Sequence, residues 1–423
     1  MANKNKQGGT GTLVKIAFRN IWRNKRRTFF CFTAVGIAVL FIVIYSSLID
    51  GMTKSINDVV QTYELGHVKV VSAQYEDESE YMPVQYPIAD GKNWRELASS
   101  IYRIPGVRSV FPRISSFATL QESTTKHAVL WGIDIEAETS VHHFNMTDRS
   151  DGLIEGRWPH SDANECAIGR VFAHKSGLSI GDRMPLKTVS AHFSDKMWSP
   201  VITGIFNFDY IKFDEQYIIV DVKRLGSLLV LDEGTQSLVI YLDDERHSAS
   251  AAAAIQNLFG KDSAVTEWND NYWVAVMKMV VPVYTTLFLV FLIVASFLII
   301  NTVVMIIHER IKEIGMMGSL GMTRGEIVKV FFFESLFLAA FGALAGVIAG
   351  GLISGIGQYF PLRMGDLYGN TFSEMPLSNA IFFRFSPWIL LRAWLMGVAV
   401  ASVFTLIPSM RSAFVEPVEA LRR

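Results

Sequence analysis

The sequence predicts an α-helical membrane protein with four transmembrane helices and a large α+β extracytoplasmic domain inserted between the first two. Three observations predict it. The chain contains four long apolar runs; the stretch between the first and second is as polar as a soluble domain and mixes strand-like with helix-like segments; and the basic residues crowd before the first run. Composition agrees, because half of the 423 residues are apolar, 19% are charged and the net charge is −1, a balance between a soluble enzyme and a fully embedded channel.

The spans come first. A hydrocarbon core of ~30 Å needs about 20 helical residues, and residues 29–49, 279–307, 328–353 and 388–408 meet that length with at most one or two charges. Lys4, Lys6, Lys15, Arg19, Arg23, Lys25, Arg26 and Arg27 precede the first span with no acidic residue among them. Such a bias orients membrane proteins and places this end in the cytoplasm; it is weak as a nucleic-acid signal. The long basic lead and long apolar core exceed a signal peptide, so the first span reads as an uncleaved anchor. Each span then reverses side. Residues 50–278 fall outside, 308–327 inside, the 354–387 loop outside, and the 409–423 tail, with Arg411, Arg422 and Arg423, inside.

Residues 1–28 suit a basic amphipathic helix, with Lys15, Arg19, Arg23 and Arg26 on one face and Val14, Ala17, Phe18 and Ile21 on the other. It lies either in the headgroup region or against a partner protein. Beyond the first span, Ile49, Met52, Ile56, Val59 and Tyr63 repeat at spacings of three and four, which predicts that the membrane helix continues outward as a stalk. Trp273, Val276 and Val280 lead helically into the second span. In between, residues 67–73, 108–120, 128–133, 201–208, 215–221 and 236–242 are β-branched and aromatic runs bounded by turn formers. CAIGRVFAHKSG predicts a helix ended by Gly177, and AAAAIQNLFG one ended by Gly260.

The chemistry is then bounded. Cys31 and Cys166 are far apart and suggest neither a disulfide nor a metal site. No G-x-x-x-x-G-K-[ST] occurs, and the run Gly8-Gly9-Thr10-Gly11-Thr12 lacks the lysine of a phosphate cradle, so ATP hydrolysis by that route is excluded for this sequence. His142 and His143 point apart on any regular element and read as surface histidines; Asp243, Asp244 and Glu245 read as a solvated turn. H-E-x-x-H is absent, and the one G-x-S-x-G match, Gly177-Leu178-Ser179-Ile180-Gly181, follows the end of a predicted helix instead of joining a strand to a helix, so no catalytic residue is assigned. Glu334 and Arg392 lie near the span ends and read as snorkelling charges. Gly342, Gly346 and Gly350 form a small-residue ladder for close helix approach, either within the chain or to a second copy.

The polar stretch HERIKEIGMMGSLGMTRGEI, residues 308–327, separates the second and third spans. It resembles the cytoplasmic coupling segment of FtsX-like permeases, the MacB and lipoprotein-releasing group of ABC transporters, with Glu309, Arg310, Glu313, Ile314, Gly315, Leu320, Gly321, Arg324 and Ile327 matching the pattern. LVKIAFRNIWRNKRRT, GLIEGRWP, CAIGRVFAHKSGLSIGDRMPL and PSMRSAFVEPVEALRR extend the resemblance over essentially the whole chain. The resemblance implies a permease subunit of the bacterial inner membrane, closest to the LolC/LolE-like subunits, with a MacB-like periplasmic core. It implies a cytoplasmic ABC ATPase dimer that supplies ATP and Mg, a second permease copy or homologue, contact with membrane lipids, and no nucleic acid. Glu309, Arg310, Glu313, Gly315, Leu320, Gly321 and Arg324 are then the ATPase-coupling residues.

One departure stands in that segment. Relatives often place an arginine where this chain has Gly318, so coupling leans on Glu309, Arg310, Glu313 and the Leu320-Gly321 turn. In the external domain, KTVSAHFSDKMWSP, residues 187–200, is the positional counterpart of the hook that recruits a periplasmic chaperone, but it is shorter. Phe193, Met197 and Trp198 are its docking residues if the tip is exposed; packing of the hairpin on the domain is the other reading. The implied function is mechanical export or extraction of lipoprotein or lipid-like cargo. The alternatives are a transmembrane lever that regulates an envelope enzyme, or MacB-type efflux of peptides and small molecules.

Overall fold

The computed structural model describes residues 10–21, 25–120, 126–145, 147–231, 233–309, 316, 319, 321–363 and 378–412. Along the chain run α1 (Thr10–Ile21), α2 (Lys25–Val59), β1 (Val68–Ser72), α3 (Trp94–Ile101), β2 (Val107–Leu120), β3 (Lys126–Ile133), α4 (Ile135–Thr139), β4 (Leu153–Gly156), β5 (Glu165–Gly169) and α5 (Arg170–Ser176). Then follow β6 (Leu186–Val189), β7 (Asp195–Trp198), β8 (Val201–Phe206), α6 (Ile211–Gln216), β9 (Tyr217–Asp221), α7 (Val222–Leu229), β10 (Ser237–Leu242), α8 (Ser248–Phe259), β11 (Ser263–Glu267), α9 (Tyr272–Glu309), α10 (Arg324–Gly357) and α11 (Pro387–Ser412). Two compact units result: residues 1–51, 279–362 and 382–423, and residues 52–278 with 363–381.

In the first unit the four predicted spans are helices long and apolar enough to cross a membrane. Val35, Val39 and Val43 of α2 pack with Phe331, Ala339 and Ala343 of α10 and with Ala393 of α11. The glycine ladder faces inward. A Cβ on Gly342 would lie 2.8 Å from the Phe32 carbonyl oxygen, one on Gly346 would overlap the Gly36 carbonyl oxygen, and one on Gly350 would sit 2.8 Å from Val43 Cβ. The ladder therefore lets α10 and α2 touch backbone to backbone within one chain, the first of the two readings the sequence left open.

Helix α1 packs on its own chain. Leu13 and Ala17 are buried, the Phe18 ring stands edge-on to Phe337 of α10 at 5.8 Å, and Asn20 Nδ2 donates to Glu334 Oε2 at 3.4 Å. Glu334 is buried rather than snorkelling to the interface, because Asn20 brings it a donor at that depth. Arg392 is exposed and lies over the Trp388 ring at 5.5 Å. Arg384, just before α11, is tied to α2, donating its backbone N–H to the Ser47 carbonyl at 3.1 Å and pairing with Asp50 at 3.3 Å.

The second unit is α+β, as predicted. Its strands run β11-β1-β10-β2-β3-β9-β5-β8-β4, with β6 on β2 and β7 on β6. Strand β2 belongs to both halves: its first part, through Arg113, pairs antiparallel with β10, and Ile114–Leu120 pairs with β3. Helices α3 and α8 cover the β1, β10 and β11 half through Ala98, Ile101, Ala251 and Ile255. A second core, including Leu130, Ile168, Phe172, Ile202 and Ile218, fills the other half. Two boundaries differ from expectation. Residues 165–169 form β5 before the helix begins at Arg170, and Glu215 and Gln216 end α6 before β9. The short parallel pairing of β5 with β8 decides the first of these, since tertiary pairing overrides local helix preference.

An aromatic cluster lies where the α2 chain enters this unit. After α2 the chain makes a π-helical turn, Val60–Leu65, and Tyr63 packs within 5.5 Å of the Phe208, Tyr210 and Phe213 rings. Ile56, Val59 and Tyr63 of the predicted stalk seam are fully or almost fully buried. At the second stalk Val274 and Met277 are the buried positions, one residue offset from the Trp273, Val276 and Val280 seam. Burial pushes the nearby Asp214 carboxyl up to about 7, with the Phe208 amide opposing, donating to it at 2.7 Å. The folded protein thus holds this proton up to about pH 7, whereas an unfolded aspartate releases it near pH 4. Stability from this group is greatest below pH 4 and falls as pH rises to 7. The expected result is that Asp214→Asn flattens that fall by several degrees in melting curves between pH 5 and 8; an unchanged slope contradicts the assignment.

Candidate functional site

The predicted coupling segment joins α9 to α10. Arg310, Glu313, Gly315 and Leu320 lie outside the described residues. Glu309 is the last residue of α9, and Arg324 the first of α10. Met316 and Ser319 are exposed. Gly321 has φ +90°, a left-handed turn that glycine takes without strain. The start of α10 is fixed by a capping box: Thr323 Oγ1 accepts from the Glu326 amide at 3.4 Å, and Glu326 Oε2 accepts from the Thr323 amide at 2.8 Å. Reciprocal caps satisfy two otherwise orphan donors, so the return of the chain into the third span is set at a defined residue.

In the second unit, β6 and β7 form the predicted hairpin, closed by Ser190 N–H donating to the Ser194 carbonyl at 2.9 Å. Phe193 is 74% exposed at its tip and Met197 56% exposed. Trp198 is only 6% exposed, and its indole N–H donates to Asn164 Oδ1. It cannot share the docking face with Met197, because neighbours on a strand point to opposite sides. The expectation of a three-residue tip is thereby corrected to two. Phe193→Ser should leave the melting temperature within a degree or two, as for an exposed side chain away from the core; a large loss would show that the ring packs on the domain.

Sequence reasoning missed a third group. Arg113, 3% exposed, meets Glu138, 0% exposed: Nε donates to Oε1 at 3.1 Å and Nη2 to Oε2 at 2.6 Å. The same guanidinium donates to the Tyr63 carbonyl at 3.0 Å and the Thr62 carbonyl at 2.8 Å, and lies over the Trp131 ring at 5.1 Å. Tyr241 Oη donates to the Gln61 carbonyl at 3.0 Å. His142, expected at the surface, is instead packed against Tyr241 at 4.9 Å and Phe144 at 4.8 Å. Burial, then the Arg113 charge, pushes its imidazole down to about 3. The available signal was an arginine inside an apolar strand run at residue 113, with no clue to its partner.

The two stalks meet beside this group. Asn271 Nδ2, immediately before α9, donates to Glu64 Oε2 of the π-helical turn at 3.1 Å, and β1 and β11, which follow and precede the stalks, pair antiparallel through Val68 and Glu267. Farther along, the Asn379 amide donates to the Asp209 carbonyl, and Ser378 Oγ to the same oxygen at 3.3 Å. The segment between the third and fourth spans thus touches the inserted domain.

The chain thus combines a unit of four helices long and apolar enough to cross a membrane with an α+β domain inserted after the first of them. The profile of the MacB-like periplasmic core domain matches residues 28–258, and that of the FtsX-like permease C-terminal region matches residues 285–417. The chain belongs to the FtsX-like, MacB-type family of ABC transporter permeases. It is 23% identical to the lipoprotein-releasing system transmembrane protein LolC of Xylella fastidiosa, over 97% of this chain and 98% of the relative. It is 21% identical to the corresponding LolE of Haemophilus influenzae, over 92% and 93%. To the macrolide export ATP-binding/permease protein MacB of Paracoccus denitrificans it is 21% identical, over 77% of this chain and 47% of that longer protein.

Proposed function

We propose that this permease uses ATP hydrolysis by a separate cytoplasmic ABC ATPase dimer to drive motion of its external domain, and so extracts lipoprotein or lipid-like cargo from the outer leaflet of the inner membrane or the periplasm. One observation supports this reading most: the contact of residues 378–379 with Asp209. This contact supports a topology in which the loop between spans three and four shares the side of the inserted domain and the 308–327 segment, one span away from each, lies on the opposite, cytoplasmic side, where we infer that the ATPase with its ATP and Mg docks. Glu309, Arg310, Glu313, Gly315, Leu320, Gly321 and Arg324 form the surface that seats in the ATPase. Full-length coverage of the LolC and LolE relatives, whose names state lipoprotein release, favours that cargo over MacB-type efflux.

A second permease copy or a homologous subunit completes the pair of ATPase-binding segments, and lipids surround it. The exposed Phe193 and Met197 tip supports docking of a periplasmic chaperone or adaptor there. The test is affinity purification of the full chain from its native membrane followed by native mass spectrometry. Recovery of an ATP-binding subunit with acylated polypeptide or phospholipid is expected. Stable recovery of an envelope hydrolase without lipid cargo would instead establish the regulatory lever.

A further inference from the structure

We propose that Arg113, Glu138 and Tyr241 form a clasp that carries movement of the stalk into the sheet, acting as positioning residues for transport. The inference rests on the energy-coupling reading above.

A π-helical turn ends with backbone carbonyls that its own helix does not satisfy. Here the three consecutive carbonyls of Gln61, Thr62 and Tyr63 accept from side chains of the sheet: Tyr241 donates to the first, and Arg113 to the second and third. The arginine fork is held in turn by both oxygens of Glu138. A bidentate guanidinium–carboxylate pair fixes orientation as well as distance.

Stability alone does not account for the pair. Removing two charges from water costs about as much as their attraction returns, and apolar replacements of similar volume are often neutral or stabilising. Position is the better account. Arg113 is the last β2 residue paired to β10, through Ser237, and its neighbour Ile114 opens the pairing with β3. Its own carbonyl accepts from Thr235 Oγ1 at 3.2 Å and Ser237 Oγ at 3.0 Å. A displacement of the stalk end is therefore delivered to the one strand shared by both halves of the domain. The second stalk joins the same point through Asn271 and Glu64. Severing the side-chain links should leave the stalk moving and the sheet unmoved.

The test uses the full chain co-purified with its native ATPase, and reads hydrogen exchange of stalk amides (residues 52–65) and of the β2–β3 ladder with and without ATP, Mg and vanadate. In the wild type, trapping is expected to change exchange in both. In Arg113→Met combined with Glu138→Leu, which leaves no unpaired buried charge, the stalk change is retained and the ladder change falls at least tenfold. Tyr241→Phe removes only the hydroxyl and is expected to give a smaller loss in the same ladder. It decides the matter if the double variant does not fold. A ladder response of wild-type size in either folded double variant or, failing that, in Tyr241→Phe overturns the clasp. A wild-type stalk indifferent to trapping overturns the coupling reading, and the clasp with it.

Discussion

Gly346→Leu is expected to destabilise the membrane unit by about 3 kcal/mol or more, the upper part of the range for overpacked cores. Already at Cβ the new side chain would overlap the Gly36 carbonyl oxygen, and it would come within 3.0 Å of the Leu40 amide nitrogen and of Val39 Cβ. Two of these are backbone atoms of α2, so no rotamer change relieves them; the helices must separate. Gly355 supplies the control on the same helix, since its Cβ would meet only a Phe385 ring carbon at 3.8 Å. Gly355→Ala should therefore keep near wild-type stability. Thermal unfolding of the detergent-purified chain measures both, and equal losses at the two positions would contradict intrachain packing of the ladder.

Reversing the charges of Arg310 and Glu313 together is expected to abolish recovery of the ATPase subunit with the permease, by at least tenfold, while the melting temperature of the permease is unchanged. Truncating one partner of a buried interfacial charge pair costs about 2–5 kcal/mol, more than enough for that loss. The capping box at Thr323 and Glu326 starts α10 independently of these residues, which is why fold and coupling should separate. Quantitative co-purification reads the first effect and thermal unfolding the second. Undiminished ATPase recovery would remove residues 308–327 from the interface.

The spans were legible because nothing but burial in lipid calls for runs of about twenty apolar residues, and β2, β3 and β10 because their β-branched and aromatic content and their turn boundaries agree. The stalk was legible at Ile56, Val59 and Tyr63 because spacings of three and four mark one face of a helix. Partner choice was not. The spacing of Gly342, Gly346 and Gly350 signals close approach to some helix, but that it is α2 depends on how the bundle closes. Arg113 and Glu138 are separated by β3 and the turns around it, and no local rule pairs them. His142 showed no sign of burial, because the packing partner that covers it, Tyr241 of β10, is about a hundred residues away in sequence, and Phe144 two residues on carries no such signal by itself. Trp198 is the instructive miss: period-two alternation alone sets it opposite to Met197, and the grouping of three tip residues neglected that rule.

The central claim is that the hydrophilic segment between the second and third spans faces the cytoplasm while the inserted domain faces outward. Its most direct measurement is labelling of a cysteine introduced at Gly318, in a background where the buried Cys31 and Cys166 are replaced by alanine, with a membrane-impermeant maleimide. A cysteine at exposed Phe193 serves as the external reference. The account predicts that the Phe193→Cys protein is labelled in intact cells and the Gly318→Cys protein only after the inner membrane is opened. Labelling at position 318 in intact cells with a sealed inner membrane would contradict it.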